Sequence, residues 1–419
     1  MCQIETTTKK YRLADFFESY WDDYLTNPKE PILPEQFRAV NSILACRTAI
    51  LGADVYVCTG CGSTHTVYHS CNNRFCPTCG YMDTNKWCNQ LLGKMINAKH
   101  HHITVMLPEE FRPLAKENRW EIYNLFISTA AEAIKQWFWH RHRVKPGIMT
   151  VLHTFGDDKK YHVHVHMIVT DGGMTKKGTY HDLKTKRWLV KYDWLCNKKF
   201  KPIFLQKLKT LNKKGQLQSG YQSKEEFNNF VDHVGQKTWR MNIKESLSNT
   251  EDIVRYTCRY TKRACMSEYK IKEIDGEYIS FEYKDYKNGK GENTPPIKIK
   301  RMHYRDFFPQ LLQHVPQKGF HMVRYQGAYA RTDKIPEHVR QKPQEQHKSL
   351  SDNYRELQIQ KTGEDPFFCK TCQREMIFVF TYFDTRKRDL RLKNKLNIPQ
   401  HIMSHERDYS IANFEKERV

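Results

Sequence analysis

Tyr161–Gly173 reads YHVHVHMIVTDGG. In an extended strand alternate side chains share a face, so His162, His164 and His166 lie together and Val163 and Val165 point the other way. Valine and isoleucine suit a strand. A row of imidazoles makes a poor core, but it can hold a divalent cation beside a substrate. These histidines span roughly 13 Å, so two neighbours can chelate one ion and a third ligand must come from elsewhere. Just upstream, GDDKK (Gly156–Lys160) reads as a turn. It predicts a hairpin of strands near 148–155 and 161–169. Whether His153 shares the face of His164 depends on the hairpin register, which a one-residue slip reverses. Residues His100–His102, leading into a further strand, read as basic surface rather than ligands.

Composition sets the partner class. The chain has 419 residues, with 69 Lys+Arg against 47 Asp+Glu and a formal net charge of +22. The isoelectric point is about 9.3 and the mean hydropathy −0.77. Such a balance points first to nucleic acid. No apolar run approaches the ~20 residues of a spanning helix, so no membrane partner is expected. Residues 1–17 lack the apolar stretch of a secretory signal, and an intracellular, cytoplasmic setting is the expectation. There the 13 cysteines are not a disulfide framework.

Six cysteines fall between Cys46 and Cys79. Cys58-x2-Cys61 and Cys76-x2-Cys79 are two knuckles, and four thiolates from two knuckles make a closed tetrahedral zinc site. Cys46 and Cys71 are surplus, as are His65 and His69; they complete a second site, join the first, or are small buried residues. Farther on, Cys369-x2-Cys372 stands as a lone knuckle, half a zinc site that could borrow His401 or His405.

EDIVRYTCRYTKRA (Glu251–Ala264) places Tyr256 and Tyr260 four apart, one helical turn from each other. Arg255, Arg259, Lys262 and Arg263 surround them. Nearby cations favour phenolate and attract phosphate, and a tyrosine so placed can attack phosphorus. A histidine-held metal would neutralise the charge that develops. A covalent tyrosine ester would store the energy of the broken phosphodiester, and no P-loop for ATP is present.

These segments together resemble the two-tyrosine rolling-circle transposases of the insertion-sequence ninety-one family, within the HUH endonuclease superfamily. CRTAILG, CTGCG and SCNNRFCPTCG look like that family's zinc module. ITVMLPEEFRPL resembles its first nuclease strand, LHTFGDDKKYHVHVHMIVTDGG its metal motif, and WRMNIKESLSNTEDIVRYTCRYTKRA its tyrosine helix. FEYKDYKNG and FFPQLLQHVPQKGFHMVRYQGAYA look like its later segments. The resemblance implies that His164 and His166 bind catalytic Mg2+ or Mn2+, with His162, His153 or Glu251 as the third ligand. It implies that Tyr256 and Tyr260 are the nucleophiles, through a 5′-phosphotyrosine intermediate on single-stranded DNA at element ends and targets. It also implies a bacterial cytoplasm. Val163 stands where the family often has proline, and Cys258 where a small apolar residue is usual; neither removes a reacting group.

The expected fold is α+β. Residues 1–45 read as a helical segment with a packed aromatic face, and 46–95 as a zinc ribbon with a helix near Trp87–Met95. The HUH nuclease domain, an antiparallel sheet flanked by helices, covers 100–330, including a long helix over 120–143. Its stretch 174–220 carries 13 Lys/Arg against two Asp/Glu, with Trp188, Tyr192, Trp194 and Phe200 interleaved. That pattern suits a single-strand-binding insertion. Residues 331–419 form a polar and basic extension. Expected DNA contacts are Arg74, Lys186, Arg187 and Trp188 with the basic residues of the tyrosine helix. Two alternatives have other consequences: a replication initiator with the same chemistry, and a zinc-ribbon DNA-binding regulator without catalysis. Oligomeric state has no sequence signature here.

Overall fold

A computed structural model describes residues 11–79, 91, 95–185, 191–243, 264–285, 295–331, 335–340, 355–356, 359 and 365–383. In chain order the elements used below are α1 (Leu13–Thr26), α2 (Pro34–Ala45), β1 (Ala53–Cys58), β2 (Thr64–Tyr68), β3 (His100–Met106), α3 (Arg112–Glu117) and α4 (Arg119–His142). There follow β4 (Gly147–Phe155), β5 (Tyr161–Thr170), β6 (Gly172–Met174), β7 (Tyr180–Asp182), α5 (Lys201–Lys213), α6 (Lys224–Gln236) and β8 (Met241–Ile243). The rest are β9 (Ile271–Asp275), β10 (Tyr278–Lys284), β11 (Ile297–His303), α7 (Tyr304–Leu312), β12 (Val323–Gly327) and β13 (Met376–Tyr382). The class is α+β, and among the described residues every strand pairing is antiparallel.

The central sheet has the order β12-β4-β5-β3-β8. The expected hairpin is β4–β5. On one face of the sheet Ile103, Val105, Leu152, Val163, Val165 and Val169 form a core with α4, whose Ile122, Phe126, Ala130, Ile134 and Phe138 recur at helical spacing. The period-two alternation of β5 sends its valines into this core and its histidines to the opposite face.

The stretch 174–220 is more embedded than its charge suggests. After the β6–β7 hairpin, a π-helical turn Leu195–Phe200 leads into α5, and Leu195, Phe200, Phe204 and Leu208 are fully buried in the nuclease core. Phe200 is therefore a packing residue, not a platform for a base. Trp194, 40% exposed, keeps its face available.

A second core joins the N-terminal helices to distant sequence. Phe16, Phe17, Trp21 and Tyr24 of α1 close on Phe307 and Phe308 of α7, and Ile279 and Phe281 of β10 belong to the same cluster. The aromatic face of residues 11–24 is thus used for packing. Of the helix expected near Trp87–Met95, only Leu91 and Met95 lie among the described residues.

Candidate metal centres

The hairpin register decides the histidine site. His153 of β4 sits directly across from His164 of β5, and Val151 across from His166. A register shift between His153 and Phe155 sets this alignment. Directly opposed residues share a face, so His153 joins the histidine row. One ring nitrogen from each of His153, His164 and His166 lies within 4.8 Å of the other two. The tip of the hairpin is clasped: Gln310 Nε2 donates to the Asp158 carbonyl at 3.0 Å, and His314 Nε2 donates to the Lys159 carbonyl at 2.9 Å.

Hydrogen bonds orient these rings. His164 Nδ1 donates to the His162 carbonyl at 2.9 Å, which leaves Nε2 as a lone pair. Burial, with His166 and His162 beside it, holds the His164 imidazole well below its ordinary pKa. A neutral ring is the form that ligates a metal. Burial lowers His162 as well, with Arg112 next in effect. His162, however, accepts from the Arg112 guanidinium at 3.1 Å and stands outside the trio. Glu251 lies outside the described residues.

His100–His102 are not basic surface. Their exposures are 0%, 0% and 4%. β3 pairs with β5 so that Thr104 faces His166, and His102 stacks on His166 with ring centroids 5.1 Å apart. His102 Nε2 is 3.0 Å from His166 Nδ1. His101 pairs with the buried Asp171 on the other face. His102 was missed because three histidines on a strand edge read as charge. Only the β3–β5 register shows which of them reaches the site.

Arg74 belongs to the same neighbourhood. It lines a cavity of about 30 Å³ with Phe75, His153, Thr154, Cys265 and His314. Burial pushes its guanidinium down to about 10. It lies beside His153 and is partly exposed.

The cysteines sort in a way that their spacing does not suggest. Cys46, Cys71, Cys76 and Cys79 form one cluster, and Cys58, Cys61, Cys369 and Cys372 form another. The expected single site of Cys58, Cys61, Cys76 and Cys79 is therefore corrected: each knuckle belongs to a different cluster. Cys46 and Cys71 are members, not surplus, and the Cys369 knuckle is not alone. His69 bonds Asp54 and the Leu51 carbonyl instead. In the first cluster Cys46 and Cys79 sulfurs lie 3.3 Å apart and Cys71 and Cys79 3.5 Å. Tetrahedral Zn–S bonds of about 2.3 Å imply sulfur separations of roughly 3.8 Å, so the donor set fits a zinc ion. Hydrogen bonds from neighbouring thiols hold Cys79 far down, and bonding to Cys46 pushes Cys71 and Cys76 up. Four thiolates this close would repel one another, and a cation is what would let all of them ionise.

Two family profiles match this chain: one described as "Transposase zinc-binding domain" over residues 16–107, and one described as "Putative transposase" over residues 147–336. The chain belongs to the insertion-sequence ninety-one transposase family. A relative from Sinorhizobium fredii (strain NBRC 101917 / NGR234), "Putative transposase y4qJ", is 27% identical over 322 residues, 75% of this chain and 79% of that protein. "Transposase for insertion sequence element IS801", from Pseudomonas savastanoi pv. phaseolicola, is 26% identical over 298 residues, 70% of each chain. No solved structure matches. The zinc-binding profile spans the whole first cysteine cluster and the Cys58–Cys61 knuckle of the second. The transposase profile spans the β4–β5 hairpin with His153, His164 and His166. It also spans Tyr256, Tyr260, Arg255, Arg259, Lys262, Arg263, Lys186, Arg187 and Trp188, all outside the described residues. Among the described residues no helix is long and apolar enough to cross a membrane.

Proposed function

We propose that this transposase nicks and rejoins single-stranded DNA at element ends by metal-assisted tyrosine transesterification, in the rolling-circle manner. His164, His166 and His153 would hold the ion, and Tyr256 and Tyr260 would attack. The observation that carries the reading is the convergence of these three imidazoles on one face of the central sheet. Three ligands on one side of an ion leave its other positions for phosphate oxygens and water. A nitrogen-only donor set suits Mn2+ better than Mg2+, which prefers oxygen.

The residues flanking the tyrosine segment support the pairing of metal and nucleophile. Before it, Asn242 of β8 pairs with Thr104, the residue opposite His166. After it, Cys265 lines the same cavity as His153. The described residues on either side of that segment, Asn242 and Cys265, thus lie near the histidine trio.

A groove of about 530 Å³ supports a single-stranded partner. Trp137, His140, Arg141, Lys191, Trp194 and Lys199 line it. Aromatic faces stack on unpaired bases and the cations follow the phosphates. Lys199 also sits over the Trp194 ring at 5.6 Å.

The test is incubation of the protein and Mn2+ with a labelled single-stranded element end, followed by a denaturing gel. A covalent adduct is expected, and its absence with the unmodified chain would overturn the reading. An adduct that survived in a Tyr256→Phe, Tyr260→Phe double variant would remove the tyrosines from their role.

A further inference from the structure

We infer that the C-terminal segment Asp365–Phe383 completes a second structural zinc site, a tetrathiolate of Cys58, Cys61, Cys369 and Cys372 that fastens it to the N-terminal ribbon. This segment lies beyond both family matches, which end at residues 107 and 336.

The geometry is that of two facing knuckles. Cys58 and Cys372 sulfurs are 3.1 Å apart, Cys61 and Cys369 3.5 Å, and Cys61 and Cys372 3.7 Å. All four sulfurs lie within 4.8 Å of one another. In each knuckle backbone N–H groups turn inward, as Gly60 N does toward Cys58 Sγ at 3.4 Å.

The backbone around the site is shaped for this partner. β13 pairs along β1 from Ala53↔Tyr382 to Cys58↔Met376. Two glycines make room for it. A Cβ on Gly60 would stand 2.9 Å from Arg374 Cδ and 3.2 Å from Cys372 Sγ. One on Gly52, at φ +83°, would stand 2.2 Å from the Tyr382 carbonyl oxygen. The side chains interlock too. Tyr56 packs on Phe367 with centroids 4.4 Å apart, and Thr381 donates to Asp54 at 2.5 Å.

Apolar burial alone does not hold this unit. Its buried cluster consists of Cys58, Cys369 and Met376, with Tyr56 and Cys372 against it. Ile377, Phe378, Val379 and Phe380 stay 48–54% exposed. With so little core, metal binding supplies the folding free energy. Binding one Zn2+ deprotonates the thiols and releases up to four protons.

The experiment is metal analysis of the full chain by mass spectrometry, with thiol mapping. The unmodified protein should carry two zinc ions, one per cluster. A Cys369→Ser, Cys372→Ser variant should carry one, and its Cys58 and Cys61 should become alkylatable while Cys46, Cys76 and Cys79 stay protected. A Cys58→Ser, Cys61→Ser variant should show the same single loss. One zinc in the unmodified chain, iron in place of zinc, or two retained in the Cys369 variant would overturn the assignment. Should a variant misfold and lose both ions, bridging the zinc-loaded unmodified chain with dibromobimane, while the ion still holds the thiols together, decides instead. Links between the Cys58–Cys61 and Cys369–Cys372 peptides are expected, and links from Cys58–Cys61 to Cys76–Cys79 would overturn it.

Discussion

His153 lies straight across the β4–β5 hairpin from His164, with ring centroids 5.3 Å apart. His162, two residues before His164 on the same strand, instead binds Arg112. The two histidines therefore have different consequences when removed. His153→Ala takes one of three nitrogens from the ion and should raise the Mn2+ concentration for half-maximal adduct formation by at least about 10–100-fold, the range seen for lost supporting groups. His162→Ala should leave it within a few-fold. A Mn2+ titration of adduct yield compares them, and the reverse order would remove His153 from the site.

His102 acts through His166. For His166 Nε2 to hold an ion, its Nδ1 must carry the proton and donate it, chiefly to His102 Nε2 at 3.0 Å, with Thr104 Oγ1 a longer partner at 3.3 Å. His102 is then an acceptor and a positioning residue. His102→Leu removes the acceptor and should weaken Mn2+ binding about 10–100-fold. His102→Gln offers a carbonyl oxygen and should recover part of it. Equal loss in both variants, read by metal titration and by thermal stability, would reduce His102 to packing.

How much of this was legible in the sequence depends on periodicity. Alternation in YHVHVH set the strand and its faces, and the breaker-free run in α4 set the long helix. Cysteine partnership was not legible. A C-x2-C spacing specifies one local turn, but which knuckles meet is a matter of sheet pairing, and β1 pairs with a strand more than 300 residues away. Likewise the burial of His100–His102 follows from β3 lying inside the sheet between β5 and β8, which residue polarity does not report.

The Trp137–Trp194 groove predicts a separable binding defect. Trp194→Ala should cost about 1–3 kcal/mol in single-strand affinity if one base stacks there. Replacing Arg141, Lys191 and Lys199 with alanine should instead flatten the dependence of affinity on salt. Fluorescence anisotropy with an oligonucleotide at several salt concentrations separates the two. Unchanged affinity in both variants would place the strand elsewhere.

Phe308 ties the N-terminal helices to the later sequence. It is fully buried and its ring contacts Phe16, Phe17, Trp21 and Tyr24. Phe308→Ala should destabilise this core by about 3–5 kcal/mol. Because four aromatics of α1 meet on this one ring, the amides of α1 should exchange faster than those of the central sheet. Uniform loss of protection across both cores would mean that they unfold as one unit.

His314 gives the fold a calculable acid sensitivity. Nε2 donates to the Lys159 carbonyl, so Nδ1 accepts from the Thr154 hydroxyl at 3.1 Å and the ring is neutral. Burial pushes its pKa down to about 3. In the unfolded chain histidine titrates near 6.5, so below that value the unfolded state binds the proton first. Above about pH 6.5 the two states differ by no proton at this site. As pH falls toward 3 the native state loses up to about 1.4 kcal/mol per unit from this group. His314→Gln removes the titration, so its urea midpoint should decline less steeply between pH 6.5 and 4 than that of the unmodified chain. Measuring the difference between the two proteins cancels acid release of zinc, which both share. Parallel declines would show that His314 is protonated in the folded state, contrary to its buried, donor-and-acceptor setting.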